Sequence, residues 1–290
     1  MRLDGRREST NVKDRRGMSA GKAAGGIGIG GIIIAMIFAY FTGGNPLEVA
    51  LQNIDLTQMG NVTEQPNGHE FTAEEEELAK FSKQILAGTE DVWTAEFQKM
   101  GRTYEPPTLV LYTGSTQSGC GTGSAQMGPF YCSADQCVYI DLSFFSDMKK
   151  TLGADGDFAY AYVIAHEVGH HVQYLLGTLE QCHARMQQVS KTEANRLNVR
   201  LELQADYYAG VWAHHDNARF GSLEAGDVDE ALDCAKKIGD NYLQEKARGY
   251  SQPETFTHGT SAQRSRWLKK GIATGDISQG NTFQVSEAEL

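Results

Sequence analysis

The chain has 290 residues, of which 40% are hydrophobic and 22% are charged, a balance typical of a folded globular protein. Its formal net charge at pH 7 is −11. Because phosphate binding needs a basic surface, this acidic balance argues against nucleic acid as a partner.

Residues 1–22 form a basic tail, with seven Lys and Arg residues against three acidic ones. Residues 23–42 then carry no charge, and about 20 apolar residues can cross a bilayer as a helix. A cleaved signal peptide and a buried soluble helix are the alternatives. The first would need an A-x-A site where FTGGNP stands, and the five glycines of the run would destabilise the second.

The charges around this run predict its orientation. The flank before it is basic, whereas the first charged residues after it are Glu48 and Asp55. The positive-inside rule therefore predicts a single-pass anchor in the cell membrane, with a cytoplasmic N-terminus and an extracytoplasmic body, periplasmic in a Gram-negative cell. The lipid bilayer is the expected partner of residues 23–42. Gly26 and Gly30 form a G-x-x-x-G spacing that could pair two anchors in a homodimer.

The rest of the chain divides into a polar linker over residues 43–70, a main domain over 71–275 and a loose tail over 276–290. Within the main domain, the hydrophobic pattern predicts helices over 72–87, 91–100, 157–176, 190–215, 228–246 and 261–270, the last stopped by Gly271. It predicts strands over 108–113, 130–132 and 138–144, with a glycine- and serine-rich loop over 114–128. We therefore expect an α+β fold that is mainly helical, with one small sheet.

Five cysteines fit an oxidising compartment, in which two disulfides and one free thiol would form. One such pairing is Cys120–Cys132 with Cys182–Cys234. A structural zinc site built from Cys120, Cys132 and Cys137 is the alternative, but these three contain no C-x-x-C pair.

The segment AHEVGHHV contains an H-E-x-x-H motif formed by His166, Glu167 and His170. Residues four apart project from one face of a helix, so both imidazoles can bind one Zn²⁺ ion at about 2.0–2.1 Å. Glu167 lies about 100° further round the helix, where it can act as the general base on a zinc-activated water. The alternative, two hydrogen-bonded core histidines, fits poorly with the apolar surroundings, because buried polar groups are costly there.

A catalytic zinc site usually has three protein ligands and one open position. Glu202 and Asp206 lie four apart in LELQADYYAG, so we predict Glu202 as the third ligand and Asp206 as the hydrogen-bond acceptor behind a zinc-bound imidazole. A pair of exposed acidic residues is the alternative interpretation. Other candidates for the third ligand are His171, His183, His214 and His215, of which His183 stays open.

His258 precedes the last predicted helix and could stabilise the oxyanion of a tetrahedral intermediate. Tyr207 or Tyr208 could serve the same role. A purely structural loop histidine is an equal alternative, because nothing in the sequence fixes the position of His258.

The segments HEVGHHVQ, RLELQADYYAGVW, GYSQPETFTHGTSAQR and MGPFYCSADQCVYIDLSFF together resemble the bacterial YpfJ-type neutral zinc metallopeptidases over nearly the whole chain. The spacing of H-E-x-x-H followed by E-x-x-x-D is also similar to the wider gluzincin group. The resemblance implies a zincin-like catalytic domain in which His166, His170 and Glu202 bind zinc. It also implies Glu167 as base and Asp206 behind the ligands, but no particular substrate.

We therefore expect a membrane-anchored zinc metallopeptidase that hydrolyses peptide bonds of protein or peptide substrates. The edge of the predicted sheet could pair with an extended substrate. Two alternatives stay open: a membrane-tethered binding or chaperone-like protein with a non-catalytic zinc site, and a zinc amidase that acts on cell-wall peptides.

Overall fold

The computed structural model of the protein describes residues 1–19, 65–66 and 70–290. The predicted anchor, residues 23–42, and most of the predicted linker lie outside these residues, and both stay predictions. Within the described part of the chain, no helix has the length and apolar character that a membrane crossing requires.

The described residues form a mainly helical α+β fold with a small sheet, which confirms the predicted fold class. The helices are α1 (Ala73–Lys99), α2 (Ser143–Asp147), α3 (Asp157–Leu176), α4 (Thr178–Met186), α5 (Lys191–Phe220), α6 (Asp227–Lys237), α7 (Asp240–Arg248) and α8 (Ser261–Thr274). The strands are β1 (Val12–Asp14), β2 (Met18–Ser19), β3 (Gln65–Pro66), β4 (Thr108–Tyr112), β5 (Ser115–Ser118), β6 (Gly121–Ser124), β7 (Phe130–Cys132) and β8 (Cys137–Asp141).

The main sheet has the strand order β1-β4-β8-β7. Strands β1, β4 and β8 are parallel, whereas β7 pairs antiparallel with β8 and forms an edge of the sheet. The two central strands are buried on both faces, as parallel strands usually are, and most of their side chains are apolar. Strand β7 lies against α3, so this edge of the sheet borders the helix that carries the H-E-x-x-H motif.

Helix α3 is the central element of the core. Its apolar side chains are almost fully buried, and it packs against α1, α5 and α6. Gly177, with φ of +80°, ends the helix at the predicted residue. The nonpolar residues around the motif therefore anchor the two histidines in a rigid part of the molecule.

Helices α5 and α8 cross at a pair of glycines. A Cβ atom on Gly271 would lie 2.2 Å from the carbonyl oxygen of Tyr207, and one on Gly210 would lie 2.4 Å from that of Leu268. Gly271 therefore lies inside α8, and the prediction that it stops this helix is wrong. The helix continues to Thr274 and ends at Gly275, whose φ is +61°.

Residues 1–19 pack against the domain and do not extend from it as a tail. Strand β1 pairs with β4, and Arg6 Nη2 lies 2.7 Å from Asp216 Oδ1 on α5. Gly88 leaves room for this ion pair, since a Cβ atom there would lie 2.8 Å from Asp216 Oδ1. A single membrane crossing by residues 23–42 would separate residues 1–19 from residues 70–290, and the sidedness of these two segments stays a prediction.

Several predicted element boundaries differ from the structure. The two helices predicted over 72–87 and 91–100 form one continuous helix, α1. Gly88, between them, is an interior residue of this helix. The predicted helix 228–246 is divided between α6 and α7. The predicted loop 114–128 contains the hairpin β5–β6, and α4 was not predicted.

Residues 276–290, expected to form a loose tail, fold back onto α5 and α8. Arg200 donates to the carbonyl oxygen of Val285 at 3.0 Å, and Trp267 Nε1 donates to that of Leu290 at 3.2 Å. Leu290 itself is buried. These backbone acceptors give no hydrophobic periodicity, which is why the sequence did not indicate them.

The cysteines form one of the two predicted disulfides. Cys120 and Cys132 are bonded, with 5.8 Å between their Cα atoms, and this bond rules out the three-cysteine zinc site. The predicted Cys182–Cys234 bond is wrong, because both residues are free and buried in different clusters. Cys137 is also a free, buried thiol.

Candidate metal centre

Helices α3 and α5 bring the predicted metal ligands together. Gly169, inside the H-E-x-x-H motif, allows their close approach, because a Cβ atom there would lie 2.9 Å from the carbonyl oxygen of Ala205. His166 Nε2 lies 3.2 Å from Glu202 Oε2, and His170 Nε2 lies 3.5 Å from Glu202 Oε1. One ligand atom from each of the three residues lies within 4.8 Å of the other two.

These separations fit a zinc ion. Ligand atoms at about 2.0–2.1 Å from a tetrahedral zinc lie about 3.4 Å from one another. The donors are two imidazoles and one carboxylate, the set that a catalytic zinc uses when its fourth position is open. The arrangement can therefore hold a divalent cation without rearrangement of α3 or α5.

The imidazole of His166 is held from behind by Asp206. Asp206 Oδ1 lies 2.8 Å from His166 Nδ1, so the proton of this ring lies on Nδ1 and Nε2 faces the site. Tyr162 Oη donates to the same oxygen at 2.6 Å. Arg264 binds both carboxylate oxygens, with Nε at 2.8 Å from Oδ2 and Nη2 at 2.9 Å from Oδ1.

The charges around Asp206 keep its carboxyl ionised. Burial raises its pKa, but the Arg264 guanidinium and His166 outweigh burial and lower the pKa to about 2. Burial likewise opposes protonation of His166, yet Asp206 and Glu202 raise its pKa to about 10. The two carboxylates therefore favour positive charge at this ring, and the Arg264 guanidinium offsets them only in part. A bound cation would replace the Nε2 proton.

The imidazole of His170 has a neutral partner in Gln173. Gln173 Oε1 lies 2.9 Å from His170 Nδ1, while Gln173 Nε2 donates to the carbonyl oxygen of Leu201 at 2.7 Å. Because the amide nitrogen is committed to Leu201, the amide oxygen accepts from Nδ1–H, and Nε2 of His170 faces the site. The one sequence signal for this role is the position of Gln173 three residues after His170.

Glu167 and His258 line the same cleft of about 540 Å³ as the three ligands. Asp240 Oδ2 accepts hydrogen bonds from the backbone N–H groups of Thr257, His258 and Gly259 at 2.8, 2.6 and 2.9 Å. Asp240 Oδ1 lies 3.2 Å from His258 Nδ1. Asp240 therefore fixes both the loop and the ring, a role that sequence reasoning missed.

The environment of His258 favours its protonated form. Burial lowers its pKa, but the hydrogen bond to Asp240 and the charge of Glu202 raise the pKa above its ordinary value. The ring can therefore present a hydrogen-bond donor to the cleft.

The other histidine candidates lie elsewhere, apart from His183, which lines the cleft. His171 contacts Tyr131 Oη at 2.9 Å and the carbonyl oxygen of Glu105 at 2.6 Å, on the other side of α3. His214 and His215 contact backbone carbonyls near the end of α8.

The two tyrosines considered for the oxyanion role do not line the cleft. Tyr207 Oη lies 2.7 Å from Thr274 Oγ1, at the far end of α8. Tyr208 packs edge-on against Trp93, with 5.6 Å between ring centroids. Of the donors considered from the sequence, His258 alone borders the cleft among the described residues.

Comparison with known proteins gives matches along the chain. A family profile described as "putative neutral zinc metallopeptidase" matches residues 1–283. The uncharacterized protein YpfJ of Escherichia coli strain K12 is 50% identical over 295 residues, which cover 99% of this chain and 100% of the relative. The uncharacterized protein Rv2575 of Mycobacterium tuberculosis strain H37Rv is 40% identical over 194 residues, 63% of this chain and 64% of the relative. No solved structure gives a significant match.

Proposed function

This chain belongs to the family whose profile is described as "putative neutral zinc metallopeptidase", and we propose that it hydrolyses peptide bonds at the centre formed by His166, His170 and Glu202. One observation carries the proposal. Three donor atoms from two helices converge at zinc-like separations beside Glu167, in a cleft open to a ligand. A purely structural zinc site would not require the Glu167 carboxylate in that cleft, because it needs no general base.

Each residue of the cleft has a separate role in the proposed reaction. Zinc, when bound, acidifies water and polarises the carbonyl of the scissile peptide bond. Glu167 accepts the proton of the attacking water and later donates it to the leaving amine. His258 donates a hydrogen bond to the oxygen that becomes negatively charged, and Asp240 keeps the ring in place.

The sheet supports binding of an extended peptide. Strand β7 is an edge strand next to α3, and Phe130 and Tyr131 of this strand line the cleft. A peptide that pairs with β7 would gain backbone hydrogen bonds, and its side chains would alternate between the cleft and solvent. Met127, Phe144 and Leu243 give the cleft an apolar wall.

Glu167→Gln tests this function directly. The substitution keeps the size of the side chain but removes the proton acceptor, so we expect zinc content to stay at the wild-type level and cleavage of a peptide library to fall at least about 100-fold. Glu193→Gln, at an exposed position in the first turn of α5, is the matched control.

A Glu167→Gln variant that cleaves at the wild-type rate would overturn the mechanism. Including cell-wall peptides in the library distinguishes a peptidase from an amidase. A zinc-loaded wild type with no hydrolysis of any substrate, and with a fourth protein ligand on the metal, would support the non-catalytic alternative.

A further inference from the structure

We propose that Arg264 is a positioning residue for the metal centre: it fixes the carboxylate of Asp206, which in turn fixes the imidazole of His166. The inference rests on the proposed function, because it assigns Arg264 a part in holding the same metal. Arg264 does not belong to either helix that carries the ligands, and neither the motif nor its spacing assigns it a role.

The surroundings of Asp206 show why its carboxylate needs a positively charged side chain beside it. Its carboxylate is fully buried and accepts from Tyr162 Oη and His166 Nδ1 on Oδ1. Arg264 supplies a donor to each oxygen, at 2.8 and 2.9 Å, and is itself only 3% exposed. Two parallel N–H···O bonds from a planar guanidinium fix both the position and the rotation of a carboxylate.

The fold brings Arg264 to this place through the close crossing of α5 and α8. Asp206 lies one turn before Gly210 on α5, and Arg264 lies two turns before Gly271 on α8. The contact of these two glycines lets the backbones approach until the guanidinium reaches the carboxylate. Thr260 begins α8 with a capping box, which fixes the first turn, where Arg264 is located.

A lysine cannot replace Arg264 in this role. Its ammonium group would keep the positive charge, but it has no planar pair of donors for the two oxygens of Asp206. Arg264→Lys therefore separates the charge of the side chain from its geometry. Arg264→Met removes both.

The test compares Arg264→Lys and Arg264→Met with Arg266→Lys, an exposed position on the same helix. We expect zinc affinity, measured by competition with a chromophoric chelator, to fall about tenfold in Arg264→Lys and further in Arg264→Met. With Co²⁺ in place of zinc, the d–d absorption spectrum of Arg264→Lys should change. The value of kcat should fall more than KM rises. Arg266→Lys should match the wild type in every measurement.

A double variant, Asp206→Asn with Arg264→Lys, keeps the test decisive if Arg264→Met does not fold. In an Asp206→Asn background the carboxylate is gone, so Arg264→Lys should lower zinc affinity little further. Wild-type zinc affinity, Co²⁺ spectrum and kcat in a folded Arg264→Lys would overturn the inference. A wild type that binds no zinc and cleaves no peptide would instead refute the proposed function, so the two failures are distinguishable.

Discussion

The two imidazoles of the centre have different partners behind them. His166 has the anionic Asp206, whereas His170 has the neutral amide of Gln173. Both partners fix the ring through Nδ1, but only the carboxylate adds negative charge to the site. Both rings are therefore oriented through Nδ1, but only His166 has an anionic partner behind it.

Gln173→Leu tests the neutral partner. The leucine removes the acceptor for His170 Nδ1 and the donor to the carbonyl oxygen of Leu201. We expect zinc affinity to fall about 10- to 100-fold, with cleavage restored by excess zinc. Gln188→Leu, an exposed position beyond α4, is the control. Unchanged zinc affinity in Gln173→Leu would show that this hydrogen bond does not orient the ligand.

His258→Gln tests the oxyanion donor. Loss of such a donor typically lowers kcat about 100- to 1,000-fold, because the charge on the intermediate loses its partner, while KM changes little. The matched control is His183→Gln, since His183 lines the same cleft but lacks the Asp240 partner that fixes His258. Equal kcat values for the two variants would contradict the role of His258.

The sequence predicts residues that share one helix better than contacts between helices. His166 and His170, like Glu202 and Asp206, lie four apart, and that spacing placed each pair on one face. Arg264 reaches Asp206 from 58 residues further along the chain, and such contacts leave no periodic pattern. The ligands and Asp206 were therefore predictable from the sequence, whereas Arg264 needed the fold.

At the scale of elements, the position of the ligands depends on how closely helices pack. Helix α3 has the predicted bounds because its apolar pattern and Gly177 are local signals. The crossing of α5 and α8 was not predicted, because a glycine inside a helix resembles a stop signal until the neighbouring helix is known. Gly271 shows that difference: it is a contact point and not an end.

Gly169→Ala tests the packing of α3 on α5. The added methyl group would lie 2.9 Å from the backbone oxygen of Ala205, which a side-chain rotation cannot relieve. We expect the free energy of unfolding to fall by about 1–3 kcal/mol, because such overpacking moves the backbone. Glu202 should also move away from the histidines, so zinc affinity should fall. Unaltered stability and zinc affinity would mean that α5 is not held at this distance by Gly169.

At the scale of the whole molecule, the N-terminal residues are part of the folded domain. Asp216 is fully buried, and Arg6 is its ion-pair partner. The sequence did not predict this, because strand β1 is a short polar segment whose pairing partner, β4, lies about 100 residues further on. A basic composition by itself predicts a tail, whereas Arg2, Arg6 and Arg7 pair with acidic residues of the domain.

Arg6→Met tests this packing. The substitution leaves a buried carboxylate without its cation, so we expect the free energy of unfolding, measured in urea, to fall by about 3 kcal/mol. Arg2→Met is the control, because the Arg2 side chain is 69% exposed and its pair with Glu224 lies on the surface. Equal effects of the two substitutions would argue against a structural role for residues 1–19.

The same packing gives a prediction about membrane sidedness. Thr10→Cys and Ala184→Cys place thiols at exposed positions in the N-terminal segment and in α4, and the natural free cysteines are buried. In intact cells or spheroplasts, a membrane-impermeant maleimide should label both positions or neither, because the two segments belong to one folded unit. Labelling of Ala184→Cys alone would instead support the single crossing that residues 23–42 predict.

Anomalous diffraction at the zinc edge from crystals of the zinc-loaded protein tests the metal centre most directly. We expect one zinc ion at about 2.0–2.2 Å from His166 Nε2, His170 Nε2 and a carboxylate oxygen of Glu202, with a fourth position free of protein atoms. A zinc ion bound elsewhere, or a fourth protein ligand that closes the site, would contradict it.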